Sequence, residues 1–255
     1  DTGRFAAFMP VHLPDECNFS AADLAAQAKA SDAAIITIGR GSGEFLDRES
    51  SNFNISDVNK AMIADVSRAF HAAGKPVIVV MNIGGAVETA SWSKNADAIL
   101  CAWQGGQEGG NSVADVLTGK TNPSGKLTMT FPVNFGDHAS TANFPVDIKA
   151  EKDMTIGNKG PKYDRKLVDY TPYEEDIYVG YRFFDSFDRD VAYPFGYGMS
   201  YTTFAYDDAK VERDGDKLTV SVTVTNTGDR PGKEIVQLYA SDTQAGERNK
   251  PEKEL

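Results

Sequence analysis

Three short apolar runs rich in β-branched residues constrain the fold of this chain more than anything else in it. They are residues 33–39 (AAIITIG), 76–84 (PVIVVMNIG) and 96–103 (ADAILCAW). Helical segments lie between them. Residues 21–30 (AADLAAQAKA) precede the first run, and 56–74 (SDVNKAMIADVSRAFHAAG) separate the first two, with Ser56 placed to cap that helix and Gly74 to end it. Residues 86–93 (AVETASWS) read as a short helix, 109–119 (GGNSVADVLTG) as another closed by Gly119, and 126–132 (KLTMTFP) as a final strand. Unbroken apolar strands separated by helices form a parallel sheet covered on both faces. The expected fold class is α/β.

Beyond Pro132 the pattern changes twice. Residues 133–204 begin with polar sequence containing Pro and Gly, too long for an ordinary connection and so read as a site-bordering or interdomain segment that completes the α/β domain. They end in two aromatic stretches, YEEDIYVGYRFFDSF (173–187) and YPFGYGMSYTTF (193–204). From residue 205 the chain alternates with period two, as in KLTVSVTVTN (217–226), with DGD and TGDRPG as turns. About three strands fit before residue 255, too few to close two packed sheets. The expected division is therefore 1–132, an α/β domain; 133–204, the completing segment; and 205–255, an incomplete β-sandwich, with the C-terminus cut short of a natural domain.

Composition narrows the function. Asp plus Glu outnumber Lys plus Arg by 37 to 26, a formal charge of −11 that speaks against nucleic acid or an anionic membrane as partner. Two cysteines, Cys17 and Cys101, are too few for a disulfide framework, and Cys101 in an apolar run reads as a buried free thiol. No apolar stretch is long enough to span a bilayer, and the chain reads as soluble. The N-terminus has neither an initiator methionine nor the order of a secretory signal, so the true start is expected to have been removed and the compartment stays open.

In parallel sheets ligands sit beyond the carboxyl ends of the strands, and here the loops leaving those ends, GRGSGEFLDR, NIGGA and QGGQEGG, are all glycine-rich. On the first, Glu44 is placed to act as a proton donor that a loop can carry over a cleft, although loop glutamates most often only solvate. Asp47 and Arg48 read more readily as an ion pair holding the loop than as substrate contacts. Gly39, Gly41 and Gly43 have the look of a dinucleotide fingerprint but lack its final glycine, and no helix opens after them. His12, His71 and His138 are far apart, so no metal site is expected, and Ser42 is too tightly flanked for a nucleophile elbow. Tyr178, Tyr181, Phe183 and Phe184 either stack on sugar rings or form the seam between two domains, the commoner fate of such clusters. Gly196 and Gly198 read as a tight turn leading into the sandwich.

Taken in order, GSGEFLDR, WQGGQEGGNSVADVLTGKTNPSGKLTMTFP, YEEDIYVGYRFFDSF, YPFGYGMSYTTF and NTGDRPGKEIVQLY resemble the carboxyl-terminal half of glycoside hydrolase family 3 enzymes, β-glucosidases and their relatives, over about residues 21–255. The resemblance implies an α/β sandwich domain whose loop supplies the acid/base glutamate, joined to a (β/α)₈ barrel that supplies an aspartate nucleophile, with a fibronectin type III-like domain following. The family's Gly-Glu-x-x-Asp-Arg pattern falls on Gly43, Glu44, Asp47 and Arg48, which makes Glu44 the implied acid/base.

The chemistry implied is retaining hydrolysis of terminal non-reducing β-linked sugars, glucose first and xylose next. It needs no cofactor, and uses two carboxyl groups roughly 5 Å apart. Phe45, which with Leu46 fills the variable positions, either packs the loop against the barrel or lines the leaving-group site; Tyr178 and Tyr181 are further candidates there. No eightfold strand–helix pattern is present, so the barrel and its nucleophile are expected outside this chain, which alone should be inactive: a fragment of a longer polypeptide, or half of a split enzyme. The expected partners are a β-glucoside or oligosaccharide and the barrel, and self-association into a homo-oligomer stays open. A noncatalytic carbohydrate-binding or interaction module of the same fold is the alternative from another class; nucleotide binding at the glycine loop is a third.

Overall fold

The computed structural model describes residues 19–41, 50–142, 173–246 and 249–255. Its centre is a parallel sheet in the order β1 (Ala34–Arg40), β2 (Val77–Ile83), β3 (Ala98–Cys101), with Ile36 opposite Val79 and Val79 opposite Ile99. Helix α1 (Ala21–Ala30) starts where the Ser20 hydroxyl accepts the Asp23 amide, and it buries Leu24 and Ala28, four residues apart on one face. Helix α2 (Asp57–Ala72) starts on Ser56, whose hydroxyl accepts the Asn59 amide, and turns Ile63, Val66, Ser67 and Phe70 inward. It ends at Gly74, whose φ of 69° only glycine adopts without strain. Helix α1 packs on α2, and α2 on β1 and β2.

Ile63, Val77, Val79 and Ile83 are wholly buried, and Trp92 and Phe131 close the core at 1% exposure each. Each such aliphatic side chain contributes about 1.5–3 kcal/mol to folding. β2 is inaccessible along most of its length, as a central parallel strand should be. β1 alternates instead: Ala34, Ile36 and Ile38 are buried while Ile35 is 57% exposed, so among the described residues its second face is open.

Three expectations require correction. Residues 86–93 do not form a helix. The Glu88 carboxylate instead accepts the Ser91 amide (2.5 Å) and hydroxyl (2.8 Å), Trp92 Nε1 donates to the Glu88 carbonyl, and the chain passes into a 3₁₀ turn at Ser93–Asn95. Side-chain bonds to the local backbone have displaced the helical ladder. Residues 126–132 do not add to the parallel sheet. Only β4 (Phe131–Pro132) is a strand, antiparallel to β5 (Val191–Tyr193), while Leu127 exchanges backbone bonds with Gly196 and Tyr197.

The β-rich lobe is a hairpin, β6 (Phe204–Asp214) with β7 (Lys217–Asn226), turning at Gly215 with φ 58°. Its expected third strand is not formed: only the bridge between Ala240 and Glu254 marks it, and Ile235, Val236 and Leu238 are exposed. A strand needs a partner ladder, and none is present there among the described residues. Helix α3 (Gly109–Leu117), closed by Gly119 at φ 74°, and the short α4 (Tyr181–Ser186) complete the elements.

Candidate functional site

The parallel sheet has one carboxyl edge, and three loops leave it. The first departs from Arg40, whose Nη1 folds back onto the Gly39 carbonyl at 2.7 Å. Residues 42–49, with Glu44, Phe45, Asp47 and Arg48, lie outside the described residues. Both feet of that loop are described. One is β1, paired as far as Arg40 with Ile83. The other is a 3₁₀ turn, Ser50–Phe53, whose Phe53 is 5% exposed and packs against Phe135 with centroids 5.9 Å apart. The carbonyl of Phe53 accepts the Glu88 amide at 2.8 Å, which ties the returning limb to the chain leaving β2.

The second loop therefore carries a buried carboxylate, Glu88, but both of its oxygens are taken by Ser91, and it serves the turn. Sequence reading passed over Glu88; the signal that could have found it is Glu followed three residues later by Ser.

At the third loop, Trp103 has φ 51°, a conformation in which a bulky side chain is strained, and its ring meets Phe131 edge-on at 6.0 Å. Its amide bonds the Cys101 sulfur, but burial dominates and pushes that thiol up to about 11. Cys101 is free, as the sequence suggests, but half-buried rather than buried. Gly105 lies so close to Gly109 that an added Cβ would stand 2.7 Å from the Gly109 Cα, so the glycines of QGGQEGG allow a tight fold at the start of α3.

The two tyrosines lie in different settings. Tyr181 stacks on Phe195 at 4.9 Å, meets Tyr239 edge-on at 5.8 Å, and accepts the Leu255 amide on its hydroxyl at 2.8 Å. It joins α4 to the C-terminal segment, which also pairs Lys253 with Asp185 and Glu254 with Arg182. Tyr178 donates its hydroxyl to Asn249 at 3.2 Å and turns its ring to Phe187 at the wall of a cavity of about 750 Å³.

Of the histidines, His71 bonds Asp97 at the amino edge of the sheet, and His138 packs edge-on to Phe184 at 5.7 Å. Burial lowers the His138 pKa from its ordinary value, with Asp137 opposing. Among the described residues no cluster of His, Cys, Asp and Glu is arranged to hold a metal, and no helix is long and apolar enough to cross a membrane.

Comparison with known proteins places this edge in a family context. The Glycosyl hydrolase family 3 C-terminal domain matches residues 18–201. β-Glucosidase A of Butyrivibrio fibrisolvens is 39% identical over 279 residues, covering 92% of this chain and 30% of its own, and a β-glucosidase of Kluyveromyces marxianus is 35% identical over 94% of this chain and 25% of its own. The structure of β-glucosidase 3B from Thermotoga neapolitana in complex with glucose superposes with a TM-score of 0.80 at 44% identity, over 92% of this chain and 31% of that one. The chain thus spans less than a third of the length of these relatives.

Proposed function

The chain belongs to glycoside hydrolase family 3 as its C-terminal domain, and from that premise we propose that it is the acid/base-bearing part of a retaining β-glycosidase acting on terminal β-linked sugars, glucose foremost. Glu44 protonates the bridging oxygen as the bond to the leaving group breaks, then takes a proton from the water that releases the sugar. The attacking carboxylate, an aspartate on a (β/α)₈ barrel, belongs to another part of the polypeptide or to a second chain. Retention demands the two carboxyls on opposite sides of one anomeric centre, roughly 5 Å apart.

One observation carries the reading. The loop bearing Glu44 leaves the carboxyl end of a parallel strand and returns onto a buried aromatic foot, Phe53, pinned to the next strand's exit. Fixed feet flanking a glycine-rich span suit a carboxyl that has to be brought to a substrate held by a separate lobe. A cleft that closes between the lobes would exclude water and raise the pKa of Glu44 toward neutrality, as donation requires.

The test is complementation. The folded chain, combined with a barrel-bearing partner, should hydrolyse an aryl β-glucoside with retention of anomeric configuration. A folded, associated and inert pair would overturn the reading.

A further inference from the structure

The cavity beside α4 lies between the segment following β4 and the turns on either side of the helix. One of its walls is aromatic. Phe187 stands between Tyr178, at 5.0 Å and 61°, and Phe183, at 5.2 Å and 46°, yet keeps 50% of its surface exposed. A ring fixed by two neighbours and half open into a concavity has its orientation set without having spent its apolar face on the fold. The Tyr178 hydroxyl is committed to Asn249, so that residue too offers the cavity its ring.

Polar groups complete the lining. Glu174, Asp188 and Asp190 contribute carboxylates that enter no ion pair among the described residues, whereas the Asp137 carboxylate is held by the Asn134 amide at 2.7 Å. Arg189 lies over the Phe183 ring at 6.0 Å. Among the described residues the carboxylates of Glu174, Asp188, Asp190 and Asp137 thus outnumber this arginine in the lining, and His138, kept below its ordinary pKa by burial, adds no positive charge at neutral pH.

We propose that this cavity binds a pyranose unit, neutral or amino-bearing, stacked on Phe187 between Tyr178 and Phe183 and donating hydroxyls to Asp188 and Asp190. The apolar C–H face of a pyranose suits an aromatic plane, and its ring of hydroxyls suits carboxylates, each of which accepts several hydrogen bonds. A volume of about 750 Å³ is that of a small-molecule site. The net negative lining repels uronic acids and sulfated sugars and favours an ammonium group. The sugar class rests on the family reading above; the charge selectivity and the stacking residue rest on the cavity itself.

The test is calorimetric titration of the full chain at low ionic strength with methyl β-D-glucoside, glucosamine and glucuronate. The expected result is saturable binding of the first two, several-fold tighter for glucosamine, and at least ten-fold weaker binding of glucuronate. Phe187→Ala should weaken methyl β-D-glucoside at least ten-fold, with the melting temperature checked against the unchanged chain. Asp190→Asn, at an exposed position, should weaken glucosamine more than the neutral glucoside. No saturable binding, or unchanged binding in both cavity variants, overturns the proposal even if the barrel-completed enzyme is active; binding by a chain that no barrel renders active sinks the catalytic reading alone.

Discussion

The amide of Glu88 donates to the carbonyl of Phe53 across 2.8 Å, joining the returning limb of the Glu44 loop to the chain that leaves β2. Phe53 is buried against Phe135, so Phe53→Ala opens a void at that foot. The expected loss is about 3 kcal/mol, read as a lower urea midpoint with an unchanged slope. In the barrel-completed enzyme the same variant should lower kcat more than it raises KM, because a loop with one loosened foot presents Glu44 less often in the productive position.

Glu44→Gln tests the proposed proton donor directly. In the completed enzyme kcat should fall on the order of 10²-fold or more for substrates with poor leaving groups, and much less for activated aryl glucosides, whose departure needs little protonation. Azide should restore turnover of the activated substrate by attacking the glycosyl intermediate without base assistance. Unchanged kinetics would favour a noncatalytic module.

Local chemistry made half of this fold readable. Ser56, Gly74 and Gly119 cap or end their helices as the sequence indicates, because capping is decided within four residues. At Glu88 the pattern misled: the apolar period of the segment is helical, and the opposing sign, a Glu three residues before a Ser, takes effect only where the Glu88 carboxylate has folded onto Ser91. The place of Phe131 was hidden for a different reason, since its partner, Tyr193, lies far along the chain and pairs antiparallel where the preceding strands are parallel. Glu44 is singled out by a motif alone and lies outside the described residues, whereas the wall made by Tyr178 and Phe187 exists only after α4 has brought the two rings together.

Cys101 should resist thiol reagents while the chain is folded. Burial pushes its pKa up to about 11, so its thiolate population near pH 7.5 is on the order of 10²-fold below that of an ordinary cysteine. Iodoacetamide labelling followed by peptide mass analysis, which separates Cys101 from Cys17, should show slow modification in buffer and ordinary modification in urea. Fast labelling of Cys101 in the native chain would contradict the burial described here.

Asp97 makes stability fall in acid. The Val77 amide at 2.7 Å and then His71 at 2.8 Å hold its carboxyl below the ordinary carboxylate value. The unfolded chain therefore takes up this proton at a higher pH than the folded one. The stabilisation is complete above about pH 4, and is lost as pH drops through the lower folded value. Urea midpoints between pH 6 and pH 3 should fall more steeply for the unchanged chain than for Asp97→Asn; parallel slopes would rule the linkage out.

Lys126 and Glu234 join the α/β lobe to the chain beyond the hairpin by an ion pair of 3.1 Å with side chains only 16% and 12% exposed, and Lys126 also donates to the Gly198 carbonyl at 2.8 Å. Burial works against the Glu234 charge, but the Ile235 amide and Lys126 outweigh it and keep the carboxyl below its ordinary value. Lys126→Met removes the counter-charge and leaves Glu234 shielded from water, at an expected loss of about 2–3 kcal/mol. Glu234→Leu alone orphans the lysine at similar cost. The double variant Lys126→Met, Glu234→Leu leaves neither charge stranded and should recover much of the sum, since an apolar pair can replace a buried ion pair at little net cost. Urea midpoints of the four chains give the coupling directly. Simple additivity would mean that the two side chains are solvated separately, and that the lobes are held instead by neighbouring contacts such as the Asn122 carboxamide, which takes the Tyr201 amide and donates to the Pro231 carbonyl.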